Sequence, residues 1–192
     1  MKAALTKAAA VALLGMALGA APLVSASAST DVIGSGLAHE CATRTLAGES
    51  GMSVLNICDL AIEQEALDKS DLAKTYVNRG VVQLRRGSLE KCRADLASAE
   101  HMMPSLAEIY VNRGALYIRQ KRFQDALDEI NRGLALNPSE PEKAYYNRAL
   151  AYELMGELKP AYLDYRKASE LNPKWPEPAK AMSRFQVRRA GS

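Results

Sequence analysis

Asn78, Asn112 and Asn147 recur 34 and then 35 residues apart, and each is followed at once by an arginine, Arg79, Arg113 or Arg148. A primary amide offers an acceptor and two donors without a fixed charge, so a row of them can pair with both the carbonyl and the N–H of a peptide backbone. The arginines carry different chemistry. An acidic residue stands 16 positions beyond each of them, Asp95, Glu129 and Asp164, and a guanidinium fork matches a carboxylate in two parallel bonds. Three cysteines, Cys41, Cys58 and Cys92, supply thiols. None lies in a Cys-x-x-Cys pair, so a structural bridge is expected rather than redox catalysis. His39 beside Cys41 gives two metal ligands where a closed site needs four. No Gly-x-Ser-x-Gly, His-Glu-x-x-His or phosphate-cradling glycine loop occurs. The residue types point to recognition and predict no catalytic residue, cofactor or metal.

The elements that must position these residues repeat with the same period. Tyr76, Tyr110 and Tyr145 open each copy, Cys92, Ala126 and Ala161 follow, then Leu96, Ile130 and Tyr165, then Pro104, Pro138 and Pro173. A period of this length with apolar residues at helical spacing reads as a pair of helices per copy. The pairs span residues 72–104, 106–138 and 141–173, with turns at Gly87-Ser88, Lys121-Arg122 and Gly156-Glu157. The extra residue of the third spacing falls in the loop Asn137 to Pro141, where it leaves the packing undisturbed. Small residues face each other where two helices approach closely: Gly80 with Cys92, Gly114 with Ala126, and Ala149 with Ala161. Ala99, Gly133 and Ala168 serve the next interface.

This order of aromatic, small, small, bulky apolar and proline residues resembles the tetratricopeptide repeat, over about Leu72 to Pro173. The resemblance implies an all-α, right-handed superhelix of stacked antiparallel helix pairs, with three full repeats and a concave groove lined by the first helix of each. Cys58 lies 34 residues before Cys92, which places a divergent leading unit over 35–70. A capping helix is expected over 177–188, with Trp175 and Phe185 packed on the third unit, because a bare repeat end leaves an apolar face in water. The locally basic tail, Lys174 to Arg189, is read as the solvated side of that helix.

The arginines occupy a position where the family's pattern is apolar, and the 16-residue interval explains the departure. In a hairpin turning near its middle, Arg79 faces Asp95, Arg113 faces Glu129, and Arg148 faces Asp164. These pairs are structural, each worth about 1 kcal/mol or less if half exposed. For the asparagines two roles stand open. They could line the groove as a ladder that grips an extended peptide, as in some scaffolds of the family, with Val77, Val81, Val111, Ala115, Tyr146 and Leu150 as an apolar floor. Alternatively, each ties one repeat to the next by an interhelical bond. Val81, Ala115 and Leu150 stand where the family's clamp for C-terminal carboxylates has asparagine, so that mode is not expected.

Lys2 and Lys7 precede a charge-free run, Ala8 to Ala21, then Pro22 and Ala26-Ser27-Ala28. This pattern reads as a secretory signal peptide over 1–28, too short in its apolar run to span a membrane. Cleavage after Ala28 leaves residues 29–192 as one domain, free of membrane spans, in the periplasm or secreted. The formal charge of +3 loses two lysines, leaving a chain close to neutral without general attraction for nucleic acid. That argues against RNA reading, for which related 35-residue helical pairs are used. In the leading unit, a first helix ending near Ala47 and a second capped by Ser53 put Cys41 and Cys58 side by side, so a Cys41–Cys58 bridge is expected in an oxidising compartment. Cys58 with Cys92 would join points about 8–10 Å apart, beyond disulfide reach.

The sequence thus predicts a non-catalytic scaffold of the cell envelope that holds an unidentified protein or peptide in its groove. The competing reading is a structural or self-associating module, compatible with a homo-oligomer, whose groove is filled by its own C-terminal helix.

Overall fold

The computed structural model describes residues 4–7 and 36–188. The segment read as a signal peptide, residues 1–28, lies outside the described residues except for β1 (Ala4–Lys7). Helices α1 (Leu37–Leu46) and α2 (Met52–Gln64) form the leading hairpin. Then follow α3 (Lys69–Arg85) with α4 (Leu89–Met102), α5 (Ala107–Arg119) with α6 (Phe123–Ala135), and α7 (Pro141–Leu154) with α8 (Leu158–Leu171). The short α9 (Pro176–Met182) and β2 (Phe185–Arg188) close the array. Each hairpin packs on the next, α2 on α3, α4 on α5, α6 on α7, and α8 on α9. The architecture is an all-α solenoid of stacked helix pairs.

The turns form where the repeat places them. Gly87 and Gly156 take φ of +78° and +84°, and the equivalent residue of the middle repeat, Lys121, takes +61°. A lysine there bears the left-handed penalty that glycine avoids. The linker between α6 and α7 holds the extra residue expected between Asn137 and Pro141.

Close approach of the paired helices explains the small residues. A Cβ on Gly114 would stand 2.3 Å from Ile130 Cγ1 and 3.1 Å from the Ala126 carbonyl oxygen, whereas one on Gly80 would meet nothing nearer than 3.4 Å. Gly114→Ala is therefore expected to destabilise by about 1–3 kcal/mol through overpacking. Gly80→Ala should be neutral or stabilising by about 0.5–1 kcal/mol, because alanine is the better helix former. Urea unfolding of the two variants checks the contrast.

Two expected boundaries differ. The cap of α2 is Gly51, not Ser53, whose hydroxyl instead receives Arg44 Nη2 at 3.4 Å. The helix expected over 177–188 stops at Met182, and residues 185–188 are a strand paired antiparallel with β1, Leu5 opposite Val187. Phe185, Gln186 and Val187 form no favourable helical run, and a helix of seven residues propagates weakly against a ladder. One contact had no forerunner in the sequence reading. The Glu65 carboxylate, just beyond α2, accepts the N–H groups of Leu37 and Ala38 at 2.6 and 2.7 Å and caps α1.

Cys41 and Cys58 are bonded, with Cα atoms 5.0 Å apart. Both are buried with Val54 and Leu55, and Val82 of α3 completes the cluster. Cys92 is a free, buried thiol pushed up to about 12, chiefly by burial, so it stays protonated and inert at neutral pH.

Candidate functional site

The arginines build the frame on which any binding face rests. Arg79 reaches Asp95 with Nε and Nη2, Arg113 reaches Glu129, and Arg148 takes Asp164 in a two-bonded fork at 2.7 and 2.9 Å. Each guanidinium has a further acceptor on the second helix of the preceding hairpin: Asp59 for Arg79, Glu100 for Arg113, and Asn131 for Arg148. Each also lies over the tyrosine three residues earlier, 5.2, 5.1 and 5.2 Å from the ring centroids of Tyr76, Tyr110 and Tyr145. One side chain thus joins its own hairpin to its neighbour, with the tyrosine covering its planar face. The hydrogen bond from Arg113 is the main reason Glu100 is held below the usual carboxylate range. Its lowered pKa means that this link contributes in full above the unfolded value of about 4.3 and is lost as pH falls through the folded value.

The asparagines, each one residue before its arginine, point about 100° away around the same helices, and the structure buries all three completely. Their proposed floor is buried as well. Val77, Val81 and Ala115 pack in one cluster with Leu84, Leu96 and Leu116, while Val111 and Leu150 pack in the next with Ile118 and Ile130. Tyr146 is half-buried, with its ring 4.9 Å from Trp175 and 5.3 Å from Tyr165. The three amides are therefore interior groups of the array, not an open ladder on its surface. Replacing any one of Asn78, Asn112 or Asn147 by alanine is expected to cost about 1–2 kcal/mol of stability, as loss of a buried polar group does. Thermal unfolding of the single variants checks it; a ladder exposed to client would leave the melting temperature unchanged.

A family profile for the tetratricopeptide repeat matches residues 107–140, and a second matches residues 142–174. This is a tetratricopeptide-repeat chain. The fold is shared with solved structures of the same kind. The tetratricopeptide-repeat domain of Arabidopsis OM64 is 22% identical with a TM-score of 0.55, covering 61% of this chain and 96% of that one. A thermophilic tetratricopeptide-repeat protein from Thermus thermophilus is 22% identical with a TM-score of 0.56, covering 77% and 78%. MamA from Desulfovibrio magneticus RS-1 is 19% identical with a TM-score of 0.55, covering 76% and 80%. At these identities the likeness speaks for the fold alone. No curated protein matches the sequence.

Tetratricopeptide repeats are generally non-catalytic and bind protein partners. Among the described residues no cluster of three metal-ligating side chains occurs, and no helix is long and apolar enough to cross a membrane. The reading from sequence passed over a set of cations at helical spacing from the buried floor. Lys74 stands seven residues before Val81, Arg119 four after Ala115, and Lys143 seven before Leu150, so each shares a stripe with its apolar neighbour. All three are half-buried. Lys74 lies 3.5 Å from Asp71, and Lys143 lies over the Trp175 ring at 4.1 Å. Lys74 and Lys143 hold one place in the repeat, with Glu108 at that place in the middle copy, and Arg119 holds another shared with Arg85 but not with Leu154, so the period marks these places without a cation at either in all three copies.

Proposed function

We propose that this chain is a non-catalytic interaction scaffold of the cell envelope, exported to the periplasm, that holds an extended peptide or a partner's helix along the face formed by α3, α5 and α7. The observation that carries the reading is the stripe on those first helices, where Lys74, Arg119 and Lys143 border the buried rows. Aliphatic stems of such cations cover apolar surface while their charged heads, with their neighbours Asp71 and Trp175, edge the face that a client would meet. The bridge between Cys41 and Cys58 is compatible with an oxidising compartment. Rigid arginine links between hairpins support a pre-organised face, which lowers the ordering cost of binding.

A photoreactive residue placed at Arg119 or Lys143, against one at the exposed Lys167 of α8, tests the face. Adducts with an envelope protein from the first two positions and none from the third are expected. Equal labelling from Lys167, or adducts only between copies of this chain, would set the reading aside.

A further inference from the structure

The strand β2 is placed by the array and not by its own sequence. Phe185, at its start, is buried against Tyr162 and Tyr165, with centroids 5.9 and 6.1 Å away. The residue before it, Arg184, gives Nη2 to Glu153 of α7 at 2.8 Å. A four-residue segment pinned at one end presents a fixed row of backbone donors and acceptors beyond the last repeat. Such a row is a template for an added strand, held by main-chain bonds and tolerant of sequence. In this chain it is filled: Ala4–Lys7 pairs antiparallel over all four positions, Ala4 opposite Arg188 and Lys7 opposite Phe185, and rests on α8. An isolated two-stranded ladder is marginal in water, so support from α8 and the buried Phe185 is what lets this one form.

We propose that Phe185–Arg188 is a strand-acceptor site on the capping end of the solenoid, taking an extended peptide antiparallel, and that its occupant in the uncut chain is the chain's own N-terminal strand. The inference does not depend on the client face. It has a consequence for the residues read as a signal peptide. Cleavage after Ala28 removes β1 and vacates the acceptor, so the uncut and cut chains differ at the cap as well as in length. Folding of the uncut chain draws its first residues onto the cap, where they are withheld from any machinery that reads them extended.

The test compares three proteins: the full chain, the chain beginning at residue 29, and the full chain carrying Gln186→Pro/Val187→Pro. The five packed clusters of described residues lie between Leu37 and Phe185, so the shorter chain keeps them. The double proline variant removes a ladder N–H whichever of the two residues donates toward β1. Hydrogen exchange at 185–188 is expected to be ~10-fold or more slower in the full chain than in the chain beginning at residue 29, and exchange at 4–7, Phe185 and Arg188 slower by the same factor in the full chain than in the proline variant. A synthetic peptide of residues 2–8 added in excess to the shorter chain should restore protection to 185–188. Equal exchange in the full chain and the proline variant would overturn the site, as would failure of the peptide to protect 185–188. Protection of the full chain that requires a dimer, seen as a concentration-dependent elution volume, would overturn the assignment of the occupant to the same chain.

Discussion

Replacing Arg184 by alanine should destabilise the C-terminal end of the solenoid by about 1.5–3 kcal/mol, the range for a hydrogen bond to a buried charged group. The reason lies in the register of the repeats. Glu153 occupies the place of Leu84 and Ile118, and Tyr165 the place of Leu96 and Ile130. In the first two repeats both members are apolar and share a core cluster. In the third they are a carboxylate whose side chain is only 3% exposed and a phenol, joined at 2.7 Å. Arg184 supplies the neutralising charge from outside the repeat, and its own side chain is 46% exposed, which holds the expected cost below that of a fully buried pair.

Burial, with the Glu153 hydrogen bond behind it, raises the Tyr165 phenol well above its usual range. The phenol therefore remains a donor to the carboxylate when Arg184 is gone. The variant Glu153→Leu/Tyr165→Phe/Arg184→Ala restores the pattern of the earlier repeats and should recover most of the loss, since an apolar replacement of a buried polar set is close to neutral. Chemical unfolding of the single and triple variants decides it. A triple variant no more stable than Arg184→Ala would show that the arginine acts by packing and not by charge.

The parts of this fold that could be read from the sequence are those that recur. Tyrosine, glycine or alanine, and proline return at one interval, so the three hairpins and their turns were legible, and the fixed offset of 16 placed Asp95, Glu129 and Asp164 opposite their arginines. The second acceptors were not legible because they have no fixed offset. Asp59, Glu100 and Asn131 lie 20, 13 and 17 residues from their arginines, at different heights along the preceding second helix. Contacts made once, such as Glu65 capping α1, leave no periodic trace. Periodicity also assigns residues to a face without saying what covers it. That is why Asn78, Asn112 and Asn147 could be aligned as a row but not recognised as buried. At the C-terminal end no repeat exists to fix the register, and local composition alone extended the capping helix past Met182.

Loss of the Cys41–Cys58 bridge should be felt locally before it is felt globally. The leading hairpin departs from the repeat pattern, and its own core, with Val54, Leu55 and the two half-cystines, is small. The two cysteines are separated by 17 positions, and closing a loop of this size restrains the unfolded chain by about 3 kcal/mol. Three arginines tie the hairpin to the first repeat: Arg79 to Asp59, Arg85 to the Thr45 and Glu49 carbonyls, and Arg86 to the Ser50 carbonyl. They act only when the hairpin is formed. For Cys41→Ser/Cys58→Ser, amide protection is therefore expected to fall by about 2–4 kcal/mol in α1 and α2 while α5 and α6 keep theirs, because repeat stability is a sum of unit and neighbour contributions. Under denaturing, non-reducing conditions the parent protein should show one reactive thiol, that of Cys92, and three after reduction. Uniform loss of protection from α1 to α8 would mean instead that the leading hairpin nucleates the whole array, and that its bridge sets the stability of every repeat behind it.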